Sequence, residues 1–167
     1  DRLQLADYYR TDTHWKQEEI IDVAAGLAES MGVPFANDFT VNTEPTPFYG
    51  VYYGQAGLDL PADTISYCTN DALSNCYVYD YENNKIIPLY DLSKTEGKDP
   101  YEMFLGGNIS LVTIENAQSL SEKELVVFGD SFSRSLLPLF AESYRKITLI
   151  DIRYLPSEYI GRYVEFK

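Results

Sequence analysis

Two short stretches hold the side chains best suited to chemistry. Phe128-Gly129-Asp130-Ser131-Phe132-Ser133 places a serine directly after the apolar run Glu124-Leu125-Val126-Val127-Phe128. Asp12-Thr13-His14-Trp15 contains the only histidine of the chain. Imidazole is the side chain that exchanges protons near neutral pH without special tuning, so any histidine-based catalysis falls to His14. A serine hydroxyl is a poor nucleophile until a base takes its proton. The base needs a third group to fix its tautomer and to stabilise the imidazolium. Asp12 stands two residues before His14, and in extended backbone both side chains point the same way. The spacing therefore predicts Asp12 on one ring nitrogen and Ser131 on the other. Gly129 permits a tight turn, and amides at the turn carrying Ser131 can donate to an oxyanion. The same residues have a plainer reading, in which Asp130 or Ser133 caps a helix and His14 is structural.

The elements that must bring these residues together follow from the hydrophobic pattern. Leu5 to Arg10 reads as a short strand. From Trp15 to about Met31, Ile20, Ile21, Val23, Ala24, Leu27, Ala28 and Met31 recur at helical spacing, with Gly32 as the stop. Residues 35–60 are broken by Pro45, Pro47, Gly50, Gly54 and Gly57, and read as an insertion or flap, with Val51 to Tyr53 a possible strand. Thr64 to Cys68 is a strand, and Tyr77–Tyr81 with Ile86–Tyr90 form a β-hairpin. Tyr101 to Leu105 is a short helix ended by Gly106-Gly107, and Leu111 to Ile114 is a strand. Glu124–Phe128, a helix from Ser133 to Tyr144 that Pro138 kinks or starts late, and Lys146–Asp151 make a β-α-β unit with buried, parallel strands. Ligands bind outside the carboxyl ends of such strands. Topology thus predicts Ser131, Arg153, Asp12 and His14 on one rim. Arg153 there would orient a substrate oxygen or pair with Asp130.

Composition narrows the partners. The 167 residues suit one domain, and 13 Lys+Arg against 26 Asp+Glu give a net charge of −13. Phosphate binding needs clustered cations, so nucleic acid is excluded as a partner and anionic polymers are disfavoured. The 15 tyrosines, beside 8 Phe and 1 Trp, combine an apolar face with a hydroxyl, which suits sugar rings or half-exposed sheets. Cys68 and Cys76 form either a disulfide closing a short loop or two small apolar positions. One histidine and dispersed carboxylates offer no metal-ligand cluster, so no metal or other cofactor is expected. No stretch approaches the ~20 apolar residues of a membrane span. The start at Asp1-Arg2-Leu3, without Met, reads as a fragment of a longer protein, with any membrane anchor upstream.

Tyr8-Tyr9-Arg10-Thr11-Asp12-Thr13-His14-Trp15 followed by Gly129-Asp130-Ser131-Phe132 resembles the DHHW family. That family is related to the alginate O-acetyltransferase-like branch of the SGNH hydrolases, in which an Asp-x-His element precedes the Gly-x-Ser element. Phe104-Leu105-Gly106-Gly107-Asn108 and Asp151-Ile152-Arg153-Tyr154 are also similar to DHHW segments, so the resemblance runs from Asp7 to Leu155. Thr13 departs from the second residue of the family's Asp-His-His-Trp. The resemblance implies a three-layer αβα, flavodoxin-like fold; the chain, residues 1–167, is expected to be a single such domain, with a parallel sheet and an inserted β-hairpin region. It implies a catalytic triad of Ser131, His14 and Asp12, and a bacterial protein exported to the cell surface. SGNH enzymes add a Gly and an Asn as oxyanion donors, which assigns Gly107 and Asn108 that role; the alternative is a helix C-cap.

The resulting expectation is a serine esterase or O-acyltransferase acting on acyl groups, with a surface glycan or an acylated small molecule as substrate. The competing expectation is a non-catalytic glycan- or protein-binding module on the same fold.

Overall fold

The computed structural model describes residues 2–57 and 59–165 and carries two sheets. The helix read from the 3.6-residue pattern is present as a 3-10 turn, Gln17–Ile20, followed by α1 (Ile21–Met31). Ala24 and Ala28, one turn apart, are its fully buried stripe. It stops at Gly32, whose left-handed φ of 63° lets its amide reach the carbonyls of Ala28 and Glu29.

Residues 35–60 are not a loose flap. β1 (Thr40–Phe48) pairs antiparallel with β2 (Asp63–Thr69), with an irregularity between Thr43 and Pro47. Pro45 and Pro47 sit at that irregularity, where the lost N–H donors do not interrupt a ladder. Val51 to Tyr53, anticipated as a strand, lies in the short helix α2 (Val51–Ala56). The strand anticipated at Leu5–Arg10 is likewise absent. In its place are a 3-10 turn at Leu5–Asp7 and a single antiparallel bridge between Tyr8 and Trp15.

The second sheet contains β3 (Tyr77–Asp80), β4 (Lys85–Ile87), β5 (Leu111–Glu115), β6 (Glu124–Phe128) and β7 (Lys146–Ile150), in the order β4-β3-β5-β7-β6. The β-hairpin is β3–β4, turned at Asn84 with φ 49°. β3 also pairs with β5, so the hairpin is part of the five-stranded sheet. Only β6 and β7 run parallel; the other pairs are antiparallel. The fold is α/β with a mixed sheet, which corrects the parallel sheet expected. The apolar runs of β5 and β7 report burial on both faces, and burial on both faces does not fix direction. β6, expected to be buried, is an edge strand and is half-exposed.

The β-α-β unit is present. β6 leads into α3 (Ser131–Leu136), which starts at Ser131 and not at Ser133, and continues as a 3-10 turn at Leu137–Phe140 containing Pro138. Val112, Ile114, Ile147 and Leu149 project from one face of the sheet into the main core with α1 and Leu137, Leu139 and Phe140. Leu111 and Ile150 belong to a separate cluster with Ile160 of α4 (Ser157–Ile160), as strand alternation requires. Each such fully buried aliphatic side chain contributes about 1.5–3 kcal/mol. Cys68 and Cys76 are free thiols, so the disulfide alternative falls. Burial pushes the Cys68 thiol up to about 12 and Cys76 to about 11, which keeps both unreactive. No helix among the described residues is long and apolar enough to cross a membrane.

Candidate active site

A reversal of the chain at residues 8–15 carries Asp12 and His14. It is closed by the Tyr8–Trp15 bridge, by Tyr9 N–H to the His14 carbonyl (3.1 Å) and by Lys16 N–H to the Asp7 carbonyl (2.8 Å). Its tip is anchored from below. Asp63 of β2 accepts the Thr11 amide at 2.8 Å and the Thr11 hydroxyl at 2.7 Å, with both residues buried. The aromatic cluster of Tyr9, Phe48, Ile65, Tyr101, Met103 and Phe104 fills the space between.

Asp12 is 2 % exposed. Its Oδ1 accepts the His14 amide at 3.0 Å and lies 2.5 Å from His14 Nδ1, while Oδ2 accepts the Val51 amide at 3.0 Å. The backbone is therefore a tight side-chain-closed turn and not the extended segment expected. The turn draws the two side chains closer than neighbours on one face of a strand, which stand almost 7 Å apart. Burial works against ionisation of Asp12, but the bonds from the His14 ring, Val51 N–H and His14 N–H outweigh it and hold the carboxyl below its ordinary value.

His14 Nε2 lies 2.8 Å from Ser131 Oγ. The two stretches, 117 residues apart, thus form one continuous chain of contacts from Asp12 to Ser131. The imidazole is stacked flat on Tyr101, with ring centres 3.8 Å apart and planes at 10°, and Phe132 borders it at 4.8 Å. Such packing leaves the ring little freedom to rotate away from Ser131.

Ser131 is placed by β6 and the first turn of α3. The Gly129 amide extends the ladder to the Ile150 carbonyl at 3.1 Å. A Cβ at Gly129 would fall 2.1 Å from Ser133 Oγ, so the turn requires glycine. Asp130 caps α3, its carboxylate accepting Phe132 N–H at 3.0 Å. The capping role considered for Asp130 is thus real and coexists with the contact between Ser131 and His14.

The rotation of α3 is set by Ser135, one turn beyond Ser131. Its hydroxyl accepts Trp15 Nε1–H at 2.9 Å and Tyr101 O–H at 2.6 Å, and donates to the Phe132 carbonyl at 3.4 Å. Two acceptor sites and one donor are thereby all used. Gln17, fully buried, donates to the Ser135 carbonyl at 2.6 Å and accepts the Cys68 amide at 2.7 Å, tying β2 to α3. Ser135→Ala is expected to strand the Trp15 and Tyr101 donors, at about 1–3 kcal/mol for each left unsatisfied. Urea denaturation measures this. A loss below ~0.5 kcal/mol, the size of an ordinary surface change, would show that these bonds do not hold the helix.

The remaining predicted residues are placed differently. Arg153 turns back on Asp151, with Nε to Oδ1 at 2.9 Å and Nη2 to Oδ2 at 2.6 Å, so the pairing with Asp130 is not made. It still borders a shallow concavity of about 440 Å³ with Phe128, Gly129, Asp130, Ser133, Asp151 and Ile152. Burial of Asp151 is outweighed by these bonds, which hold its carboxyl below the ordinary value. Gly107 and Asn108 follow the 3-10 turn Pro100–Met103, and Gly107 ends a run of left-handed residues, Leu105, Gly106 and Gly107, at φ 51°, 74° and 77°. Gly107 packs on the Glu102 side chain, and Asn108 Nδ2 donates to Glu102 Oε1 at 3.2 Å. Among the described hydrogen bonds, neither contacts Ser131 or His14. No group of metal-ligating side chains occurs among the described residues.

Sequence reading missed Tyr101, Ser135, Gln17, Asp63 and the Gly50-Val51 pair. All act through tertiary contacts, and none stands in a local pattern that marks it.

No protein-family model matches the sequence, and no curated protein matches it. Solved structures do. A DHHW family protein from Eubacterium siraeum is 24 % identical, with a TM-score of 0.71 over 93 % of this chain and 55 % of that one. Bacillus cereus PatB1 with a sulfonyl adduct is 17 % identical, with a TM-score of 0.68 over 93 % of this chain and 56 % of that one. A second PatB1 structure gives 14 % identity and a TM-score of 0.65. The chain therefore shares its fold with a DHHW family protein, as the motifs imply, and spans little more than half the length of these structures.

Proposed function

We propose that this chain is the catalytic unit of a serine esterase or O-acyltransferase that moves acyl groups, acetyl in particular, borne by a glycan. The observation that carries the reading is the unbroken contact chain Asp12 Oδ1, His14 Nδ1, His14 Nε2, Ser131 Oγ. On this reading the three residues are a catalytic triad. His14 Nε2 takes the Ser131 proton as Oγ attacks the acyl carbonyl carbon. Asp12, ionised and held by three N–H groups, stabilises the imidazolium. Collapse of the tetrahedral intermediate returns that proton to the departing oxygen and leaves an acyl-serine. Water or a sugar hydroxyl, deprotonated by His14, then takes the acyl group. The Ser131 amide is a candidate oxyanion donor, Gly107 and Asn108 enter by resemblance, and Arg153 is the candidate for orienting substrate at the rim. The reading also includes a three-layer SGNH-like arrangement, one domain, and export to a bacterial surface. The DHHW and PatB1 folds support the acyltransfer theme.

The test is covalent labelling with phenylmethylsulfonyl fluoride, read by peptide mass mapping, alongside hydrolysis of p-nitrophenyl acetate. Sulfonylation is expected at Ser131, with both labelling and turnover abolished in Ser131→Ala. Full turnover in that variant would remove the reading, and absence of both activities in the parent would favour a binding module.

A further inference from the structure

The segment from Tyr49 to Tyr53 combines features that ordinary surface turns do not share. Tyr49, Val51 and Tyr52 are 46 %, 45 % and 44 % exposed. Tyr49 and Tyr53 lie against each other, with ring centres 4.5 Å apart. Exposed aromatics on a loop end are normally free to move, yet this backbone is fastened to the Thr11–Asp12 tip. Gly50 N–H donates to Thr11 Oγ1 at 3.0 Å, Val51 N–H to Asp12 Oδ2 at 3.0 Å, and Tyr52 N–H to the Thr11 carbonyl at 2.9 Å. Phe48, 1 % exposed, anchors the same segment in the aromatic cluster under the site. The result is a solvent-facing tyrosine surface on a backbone fastened to the carboxylate that contacts His14.

We propose that Tyr49, Val51 and Tyr52 form a sugar-ring contact surface, joined through Asp12 to the His14–Ser131 pair, which binds an uncharged glycan. The inference rests on the acyl-transfer reading for its role, and on the surface itself for its ligand. A pyranose presents apolar C–H faces and equatorial hydroxyls. A tyrosine meets both, with its ring and its O–H, at low entropic cost when already held. A polyanionic glycan fits poorly, because the chain carries a net charge of −13 and like charge raises the cost of approach. The segment itself brings no arginine or lysine to offset that: residues 49–53 read Tyr-Gly-Val-Tyr-Tyr.

The experiment uses Ser131→Ala, so that binding is read without turnover. Cellotetraose and tetragalacturonate are titrated by saturation-transfer NMR and calorimetry. Cellotetraose is expected to bind with its ring protons saturated from aromatic resonances, and tetragalacturonate at least about 10-fold more weakly. Adding Tyr49→Ala or Tyr52→Ala is expected to weaken cellotetraose about 10-fold, the value of one aromatic stacking contact. Tyr49→Leu, which keeps apolar bulk, serves if an alanine variant unfolds. Tyr77→Ala, a tyrosine on β3 that is 41 % exposed, is the control and should keep parental affinity. Absence of cellotetraose binding, or unchanged affinity in Tyr49→Ala/Tyr52→Ala, overturns the contact surface. Equal binding of tetragalacturonate overturns its preference for uncharged glycans. Failure of Ser131 labelling sinks the acyl-transfer reading alone, since the binding measurement does not depend on it.

Discussion

Asp12→Asn is expected to lower acyl turnover roughly 10⁴-fold, through the tautomer of His14 and without rearranging the fold. Asp12 presents two oxygens to three N–H groups, those of the His14 amide, the His14 ring and Val51. Asparagine has one oxygen and an NH2. If the oxygen faces His14, the NH2 confronts the Val51 donor. If it faces Val51, the NH2 confronts Nδ1, which must then accept, and the ring proton moves to Nε2. Ser131 then meets an N–H where it needs a lone pair. Steady-state kinetics on p-nitrophenyl acetate measure the loss, and parental turnover would remove Asp12 from the mechanism. The same change alters the pH dependence of stability. The carboxyl of Asp12 is depressed in the folded state relative to its ordinary 3.8. Its contribution is complete above that value and is lost as the pH falls through the lower folded value. Asp12→Asn should therefore flatten the acid limb of the stability curve below about pH 4.

Gly50→Ala is expected to damage the site from 38 residues further along the chain. A Cβ at Gly50 would fall 2.2 Å from Asp12 Cβ and 2.6 Å from Asp12 Cα. Backbone cannot yield there as the end of a flexible side chain would, so the 49–52 segment must lift. The Val51 bond to Asp12 is then lost, and Asp12 no longer has a fixed direction. A loss of about 1–3 kcal/mol in stability and ~10²-fold in turnover, the cost of ~1 Å misplacement, is expected by urea denaturation and kinetics. Gly54→Ala is the companion variant. Gly54 lies in α2 with nothing within 4 Å of an added Cβ, so alanine there should stabilise by about 0.5–1 kcal/mol. Equal effects at both positions would mean that helix propensity, and not the Asp12 contact, governs the segment.

These two variants mark where the sequence was informative and where it was not. Asp12, His14 and Ser131 were legible because a lone histidine, a carboxylate two residues away and a serine after an apolar strand restrict one another chemically. The β6–α3–β7 unit was legible because its run lengths and turn residues agree. Strand direction in the rest of the sheet was not, since β5 and β7 carry the same buried pattern that a parallel strand would. The helix at Val51–Ala56 was hidden by its glycine and by two tyrosines with strand preference. The pair Gly50 and Asp12 cannot be inferred from one sequence, because the need for glycine arises only after folding brings another segment's backbone against it.

β6 has one ladder partner among the described residues, β7, whereas β7 and β5 are each flanked on both sides. Stability in a sheet is graded, and an edge strand held by one set of bonds opens at lower free energy than the strands behind it. The turn carrying Ser131 joins that edge to α3, and α3 is fastened through Ser135 to Trp15 and to Tyr101, the ring on which His14 is stacked. Local opening of the edge would therefore release the Gly129 side of that turn while α3 stayed bonded to Trp15, Tyr101 and Gln17. The strand side of the Ser131 turn then follows the local opening equilibrium of β6, and amide exchange along 124–129 is the quantity that reports it.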